Sequence, residues 1–261
     1  MGRYERWNLL LELLARDGLL SVEDAAREVA VSTATIRRDF EELARQQMLT
    51  RTRGGAVGNT VAYDLPLRYK TARHASEKER IGLAAAGMVA VGAVVGLNGG
   101  TTTTEVARAL ALRTDFNGSG GAGKLTVVTN ALNIANELAV RQHVKIVVTG
   151  GIPRAQSYEL VGPLARPVLE EVSLDVAFIG VDGINTAAGA TTHNEEEASV
   201  NQLIVTRAAK VVVVADSSKL GRQAFARICG LDDLDGLITN RPDDTEQIEA
   251  LEEAGVAVTL V

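Results

Sequence analysis

Four arginines, Arg37, Arg38, Arg51 and Arg53, fall within seventeen residues of a chain whose formal net charge is −6. A guanidinium group can bond a guanine edge or a phosphate bidentately, so such a cluster suits a polyanion. The stretch is STATIRRDFEELARQQMLTRTRGGAV, residues 32–57. Its first half has a helical period: Ile36, Phe40, Leu43 and Gln47 share one face, three of them apolar, which turns Ala34, Thr35, Arg37 and Arg38 outward. Ser32 and Thr33 are placed to cap this helix and touch phosphate. Thr35, Arg37 and Arg38 stand in the N-terminal half, the part of a recognition helix that meets base edges in a major groove. Arg51 and Arg53 follow on a short alternating run, where contact with the DNA backbone is expected. The bland alternative is a solvated face with Arg37–Glu41 and Arg38–Glu42 pairs four residues apart. Those acids lie further along the helix than the contact end.

A second set of polar residues recurs through the rest of the chain. In LNGGTTTTEVARAL, Leu97–Leu110, Gly99 and Gly100 let a ligand approach the backbone, and Thr101 and Thr102 offer hydroxyls at a helix start. Backbone N–H groups and the helix dipole there favour an anion, usually phosphate. Taken alone, the segment also reads as a strand-to-helix turn with a threonine cap. It has company in VVTN (127–130), TGG (149–151), GVDG (180–183), THNEEE (192–197) and ADSSK (215–219), each ending or following a strand. Thr129, Asn130 and Asp182 can hydrogen-bond hydroxyls, and Lys219 can neutralise a phosphate. Arg154, Tyr158 and His193 are candidates for the pocket wall. By contrast, Gly118–Gly123 satisfies GxGxxG but follows a helix and precedes a strand, the reverse of the dinucleotide-binding order. A surface loop is expected there.

Two kinds of element must position these residues. Trp7, Leu10, Leu11 and Leu14 form an apolar stripe ending near Asp17-Gly18, and Ser21-x-x-Asp24 reads as a capping box before Val22, Ala25, Ala26 and Val29. Helix, helix, tight joint, helix and basic ribbon closed by Gly54-Gly55 is the order of a winged helix-turn-helix, residues 1–57. Residues 58–79, with Pro66, read as linker and lead-in, where Leu65, Leu67 and Tyr69 can dock. From about residue 80 strands alternate with helices: strands over 89–97, 125–129, 144–149, 175–181, 210–215, 237–239 and 256–261, with helices such as 104–112, 132–140 and 245–254. Near-continuous Val/Ile runs separated by helices indicate an α/β domain, residues 80–261, with a mostly parallel sheet covered by helices on both faces. Ligands of such sheets bind outside the carboxyl ends of the strands.

Composition narrows the partners. The chain has 261 residues, 46% of them hydrophobic and only five prolines, so a sizeable core is expected. One cysteine, Cys229, excludes an internal disulfide and fits a reducing cytoplasm. Three scattered histidines offer no metal-ligand spacing, no metal or other cofactor is expected, and no stretch is long enough to span a bilayer. Glu12 and Asp17 interrupt what would be the core of an export signal. Residues 1–73 hold 12 Lys/Arg against 10 Asp/Glu, whereas the remainder holds 15 against 23. The acidic balance therefore belongs to the second domain, and binding to nucleic acid is expected through one local surface of the first.

Residues 3–57, especially Thr-Ile-Arg-Arg-Asp followed by Arg-x-x-Gly-Gly-Ala, resemble the N-terminal domain of the DeoR family of bacterial transcription regulators. The strand-end motifs, in this order over 77–241, resemble that family's sensor domain, which is related to ribose-5-phosphate isomerases and coenzyme A transferases. The resemblance implies a DNA-binding regulator, most often a repressor of carbohydrate-metabolism genes, controlled by a phosphorylated sugar or sugar-like metabolite; a dimer or tetramer on double-stranded operators is expected. It also implies effector contacts at Gly99, Gly100, Thr101, Thr102, Thr129, Asn130, Gly151, Asp182 and Lys219, with Glu195 chosen among Glu195, Glu196 and Glu197. The rival is an isomerase. Those enzymes carry Asp-Gly-Ala-Asp and a Lys-Gly-Gly-Gly loop; this chain has Asp182-Gly-Ile-Asn185 and Thr186-Ala-Ala-Gly189, without the second carboxylate or the lysine. No catalytic residue is therefore expected.

Overall fold

A computed structural model describes residues 2–46, 48–58, 67, 74–116, 124–242 and 244–261. The chain divides into two compact units, 1–73 and 74–261.

The first unit packs helices α1 (Arg3–Asp17), α2 (Val22–Glu28) and α3 (Thr33–Arg45) against three short strands, β1 (Leu19–Ser21), β2 (Leu49–Thr52) and β3 (Gly55–Gly58). The helical stripes meet in one core of Trp7, Leu10, Leu14, Val22, Ala25, Ile36, Phe40 and Leu43. Ser21 accepts the Asp24 N–H and so caps α2, as its spacing predicts. Gln47, expected on the core face of α3, lies outside the described residues. The ribbon is larger than expected, with antiparallel order β1-β3-β2. Gly54 makes the turn with φ +101° and Gly55 begins the return strand. A side chain on Gly55 would collide with the Leu20 carbonyl at 2.4 Å, so β1 can pair with β3 only past a glycine. Asp39 locks α3 to α1: it is buried and accepts hydrogen bonds from Arg6 Nε at 2.6 Å and Trp7 Nε1 at 2.7 Å.

The second unit is built on seven parallel strands: β4 (Val94–Leu97), β5 (Leu125–Thr129), β6 (Val144–Val148), β9 (Val176–Ile179), β12 (Val211–Val214), β14 (Gly236–Thr239) and β15 (Ala257–Leu260). Both faces are covered, as the Val/Ile runs imply. Val95, Leu97, Val127 and Phe178 face helices α4 (Ala75–Gly87), α5 (Thr101–Leu112) and α6 (Leu132–Leu138). Their strand neighbours Val128, Ala177, Ile179, Val211 and Val213 face α7 (Arg166–Glu170), α8 (Glu195–Thr206) and α9 (Glu246–Glu253). A β7–β8 hairpin (Ile152–Pro153, Leu160–Val161) and a small sheet of β10 (Gly183–Asn185), β11 (Gly189–Thr192) and β13 (Ala226–Cys229) sit beside the main sheet.

The hairpin and the small sheet are absent from the sequence reading, and two further details differ from it. The strand expected over 89–97 begins only at Val94, because Gly92 turns the chain with φ +83°. Helix α4 begins at Ala75, within the stretch read as lead-in, and its run of small residues conceals the apolar period. Of the docking candidates, Leu67 is buried, while Leu65 and Tyr69 lie outside the described residues, as does the glycine-rich Gly118–Gly123 loop. Among the described residues, no helix is long and apolar enough to cross a membrane.

Candidate functional site

In the first unit, the surface of interest begins at the α3 N-terminus. Ser32 caps the helix by accepting the Thr35 N–H at 3.2 Å, and its hydroxyl lies 2.9 Å from that of Thr35. Thr33 is half-buried, whereas Arg37 and Arg38 are exposed one turn further on. The pairing that would make them ordinary surface charge is absent. Glu42 is held by Arg45 at 2.6 Å and by Gln46, and among the described residues neither Arg37 nor Arg38 has a partner. Arg51 on β2 and Arg53 at the ribbon turn are likewise exposed and without a partner among the described residues. Four unneutralised guanidinium groups thus remain available for phosphate and base edges.

In the second unit, sheet order β15-β14-β12-β9-β4-β5-β6 places the switch of winding direction between β4 and β9. Ligand crevices of open α/β sheets form at that point. Asn98, directly after β4, clasps Gly180 after β9: its Nδ2 donates to the Gly180 carbonyl at 3.0 Å, and its Oδ1 accepts the Gly180 N–H at 2.8 Å. Beyond the clasp, Gly100 (φ +144°) is the N-cap of α5. Its carbonyl accepts the hydroxyls of Thr103 and Thr104. Thr101 and Thr102 make no side-chain hydrogen bond among the described residues and stand beside the open N–H groups of the first turn.

Asp182, after β9, gathers the next layer. Thr192 Oγ1 donates to it at 3.2 Å, Lys219 Nζ stands 3.8 Å away and His193 Nε2 4.0 Å away. Lys219 closes a short 3₁₀ turn begun by the buried Asp216. Burial would raise the Asp216 pKa, but the Ser218 hydrogen bond and the charges of Lys219, Lys78 and His74 outweigh it and hold the group below the ordinary carboxylate range. Lys78, buried on α4, is therefore a further cation of this edge, one that its place in the supposed lead-in concealed.

Glu195 does not join the cluster. It and Glu196 are exposed, whereas Glu197 is buried and accepts from Arg154 at 2.9 Å and from Thr192 at 3.3 Å. Asn194 caps α8, which sets this phase. A second acid, Glu159, is missing from the sequence reading. It is fully buried, and Asn130 Nδ2 donates to it at 2.9 Å. Burial first, and then the Glu197 charge, raise its pKa to about 8, against the lowering effect of bonds from Asn130 and Asn201. Glu197 has Arg154 as a counter-charge, whereas burial and the Glu197 charge make Glu159 hold its proton more tightly than an ordinary carboxyl.

Glu159 also changes the reading of Gly99. A Cβ there would lie 2.4 Å from Glu159 Cγ, so the space the glycine leaves holds this side chain rather than a ligand. Thr129 is wholly buried and accepts the Ala131 N–H. Gly151, with φ +138°, lies against the backbone of Leu160 and Val161 in the hairpin. These two residues shape the chain at the strand ends, where Asp182 and Lys219 are partly exposed and Asn130 is buried. Asn185, which stands where an isomerase carries its second carboxylate, accepts the N–H groups of Ala187 and Ala188 and so caps the β10–β11 turn. The lone Cys229 is buried, its thiol pushed up to about 12 by burial, and offers no nucleophile.

Comparison with known proteins agrees with this division. Residues 6–61 match the DeoR-like helix-turn-helix domain, and residues 73–241 match the DeoR C terminal sensor domain. The HTH-type transcriptional regulator GlpR of Haloferax volcanii is 36% identical, over 97% of this chain and 96% of its own length. The HTH-type transcriptional repressor GlcR of Bacillus subtilis is 32% identical over 98% and 95%, and the glycerol-3-phosphate regulon repressor of Escherichia coli is 28% identical over the whole of both chains. With a head and a sensor matched in order and relatives running its full length, the chain belongs to the DeoR family of transcription regulators.

Proposed function

We propose that this regulator is a repressor of carbohydrate-metabolism genes, whose hold on its operators is set by a phosphorylated sugar or polyol bound at the β4–β9 switch point. The observation that carries the reading is the pairing, on one chain, of α3 arginines without a partner among the described residues with a helix N-terminus at the sheet's switch point, whose open N–H groups suit an anion. Ser32, Thr33, Thr35, Arg37 and Arg38 contact the operator from α3, and Arg51 and Arg53 contact it from the ribbon. Phosphate docks at Gly100, Thr101 and Thr102, where the α5 N-terminus supplies N–H groups, with Lys219 as counter-charge. Hydroxyls face Asp182 and Asn130. Gly99, Thr129 and Gly151 hold the walls, and Glu197, in place of Glu195, completes them.

The protein acts in the cytoplasm as a homodimer or tetramer, so that paired heads occupy repeated or palindromic half-sites. The ligand changes operator affinity through its different affinities for the DNA-competent and incompetent states. The isomerase alternative lacks a second carboxylate, because Asn185 is engaged in a turn.

The test begins by selecting operator fragments from the source chromosome with the purified full chain. Mobility shifts then follow in the presence of glycerol 3-phosphate, which one relative's name suggests, and of pentose and hexose phosphates. Release of the DNA complex by one of these supports the reading. Failure of every one to alter the complex would overturn the sensor assignment, and turnover of ribose 5-phosphate would restore the enzyme.

A further inference from the structure

Two chemically different sets of groups meet where β4 leads into α5. At the α5 N-terminus are N–H groups and Thr101 and Thr102, suited to an anion. The second, which meets the chain at Gly99 beside that helix start, is the buried group of Glu159, Asn130 and Asn201. Glu159 reaches it from the β7–β8 hairpin, pinned by a β-bridge to Ala131, and its Oε1 lies over Gly99, 2.6 Å from where a Cβ would stand. Asn130 spends its amide N–H groups on Glu159 Oε2 and on Asn201 Oδ1, at 2.9 and 3.4 Å. That leaves Asn130 Oδ1 buried without a hydrogen-bond partner among the described residues. An orphaned buried acceptor is destabilising, and a hydroxyl placed there would relieve it while accepting a bond in return.

We propose that Glu159 and Asn130 are the specificity-determining pair for the ligand's carbon-bound hydroxyl, with Glu159 acting as a neutral acid that donates to it while Asn130 Oδ1 accepts from it. This pair would distinguish a polyol phosphate from phosphate alone. The inference rests on the effector reading of the crevice. The charges facing Glu159 support a neutral acid: Glu197 and Asp182 are both negative. Arg154 stands on the first at 2.9 Å and Lys219 near the second at 3.8 Å, and the effect of the two acids on Glu159 is to raise its pKa. A proton retained up to about pH 8 follows from that arrangement.

The experiment is calorimetric titration of the full chain, and of its E159Q and E159A variants, with glycerol 3-phosphate, ribose 5-phosphate, fructose 1-phosphate and inorganic phosphate, between about pH 6.5 and 9. In the wild type, affinity for the polyol phosphate that binds should fall above about pH 8, as the donor proton is lost. In E159Q an amide N–H replaces the O–H and cannot ionise, so the profile should flatten across that range. In E159A the affinity ratio of polyol phosphate to inorganic phosphate should drop about tenfold or more. An unchanged ratio in E159A, with circular dichroism matching wild type, overturns the proposal. If E159A does not fold, the E159Q profile decides, and a decline above pH 8 as steep as wild type overturns it. Wild type binding inorganic phosphate and none of the polyol phosphates overturns the hydroxyl-reading pair alone. Binding of none of the four overturns the effector reading, and this inference with it.

Discussion

The two polar regions of this molecule treat charge in opposite ways. On α3 and the ribbon, Arg37, Arg38, Arg51 and Arg53 stand in solvent with no acid engaged among the described residues. At the switch point each acid already has a compensating group: Glu197 has Arg154, Asp182 has Lys219, and Glu159 has its own proton. A surface that meets a polyanion with many charges gains by waiting unneutralised, because released counterions supply the driving force. A pocket that meets one small ligand must stay folded when empty, so its charges are balanced internally and the ligand rearranges them. The contrast predicts salt-sensitive binding at the head and pH-sensitive binding at the sensor.

The contrast breaks most severely at the head's own internal ion pair. Asp39 holds Arg6, whose side chain is only 13% exposed, together with the Trp7 indole. Asp39→Ala would strand both donors, at a cost of about 3–5 kcal/mol for the broken buried pair. Operator binding should vanish while the ligand-induced thermal shift of the sensor persists. Retention of operator binding in D39A would show that the lock is not needed to present α3.

Next in size is the effect of Glu159 on stability without ligand. Its pKa is raised from 4.5 to about 8 in the fold, so between those values the folded state binds more protons than the unfolded. Stability from this group is fully present below about pH 4.5 and declines as pH rises toward 8. Glu159→Gln should remove that decline and raise Tm by several degrees at pH 8, with little change at pH 5. Parallel Tm curves for the two proteins would mean that the acid is not buried neutral.

These two cases also show what can be read from a sequence. The helical head was legible because Ile36, Phe40 and Leu43 keep a strict period and Ser32 sits at the cap. The three-residue β1 was not, since so short a run carries no period. In the sensor, the seven strands of the main sheet were legible to within about five residues, whereas the short strands β7, β8, β10, β11 and β13 were not. The choice between Glu195 and Glu197 was open to reading: Glu197, Ala198, Asn201, Ile204 and Val205 form one inward stripe of α8, which puts Glu197 and Asn201 inside. Glu159 had no such signal. Its burial depends on Gly99 and Asn130, which are distant in sequence and meet only after the sheet forms.

Smaller effects separate the ends of each region. Arg37→Ala or Arg38→Ala should each weaken operator binding by about tenfold to a hundredfold if the side chain reads a base, and should leave the ligand-induced thermal shift intact. Lys219→Ala should do the reverse, holding the operator normally while releasing it only at higher ligand concentration. Gel shifts with and without ligand distinguish the two patterns. Operator affinity unchanged in both arginine variants would remove α3 from the interface.

The finest division lies within the head itself, between α3 and the ribbon. Arg51 and Arg53 lie on β2 and at its turn, away from the capped helix start that enters a groove in this class of motif. If they touch phosphate alone, replacing either with alanine removes one ion contact and leaves base recognition untouched. The plot of log K against log salt should then lose about one unit of slope per variant, with affinity falling by a similar factor on operator and on unrelated DNA. Arg37 and Arg38 variants, by contrast, should lower the ratio between those two DNAs. A lowered ratio in R51A or R53A would mean that the ribbon also reads bases, and the separation of reading helix from anchoring wing would fail.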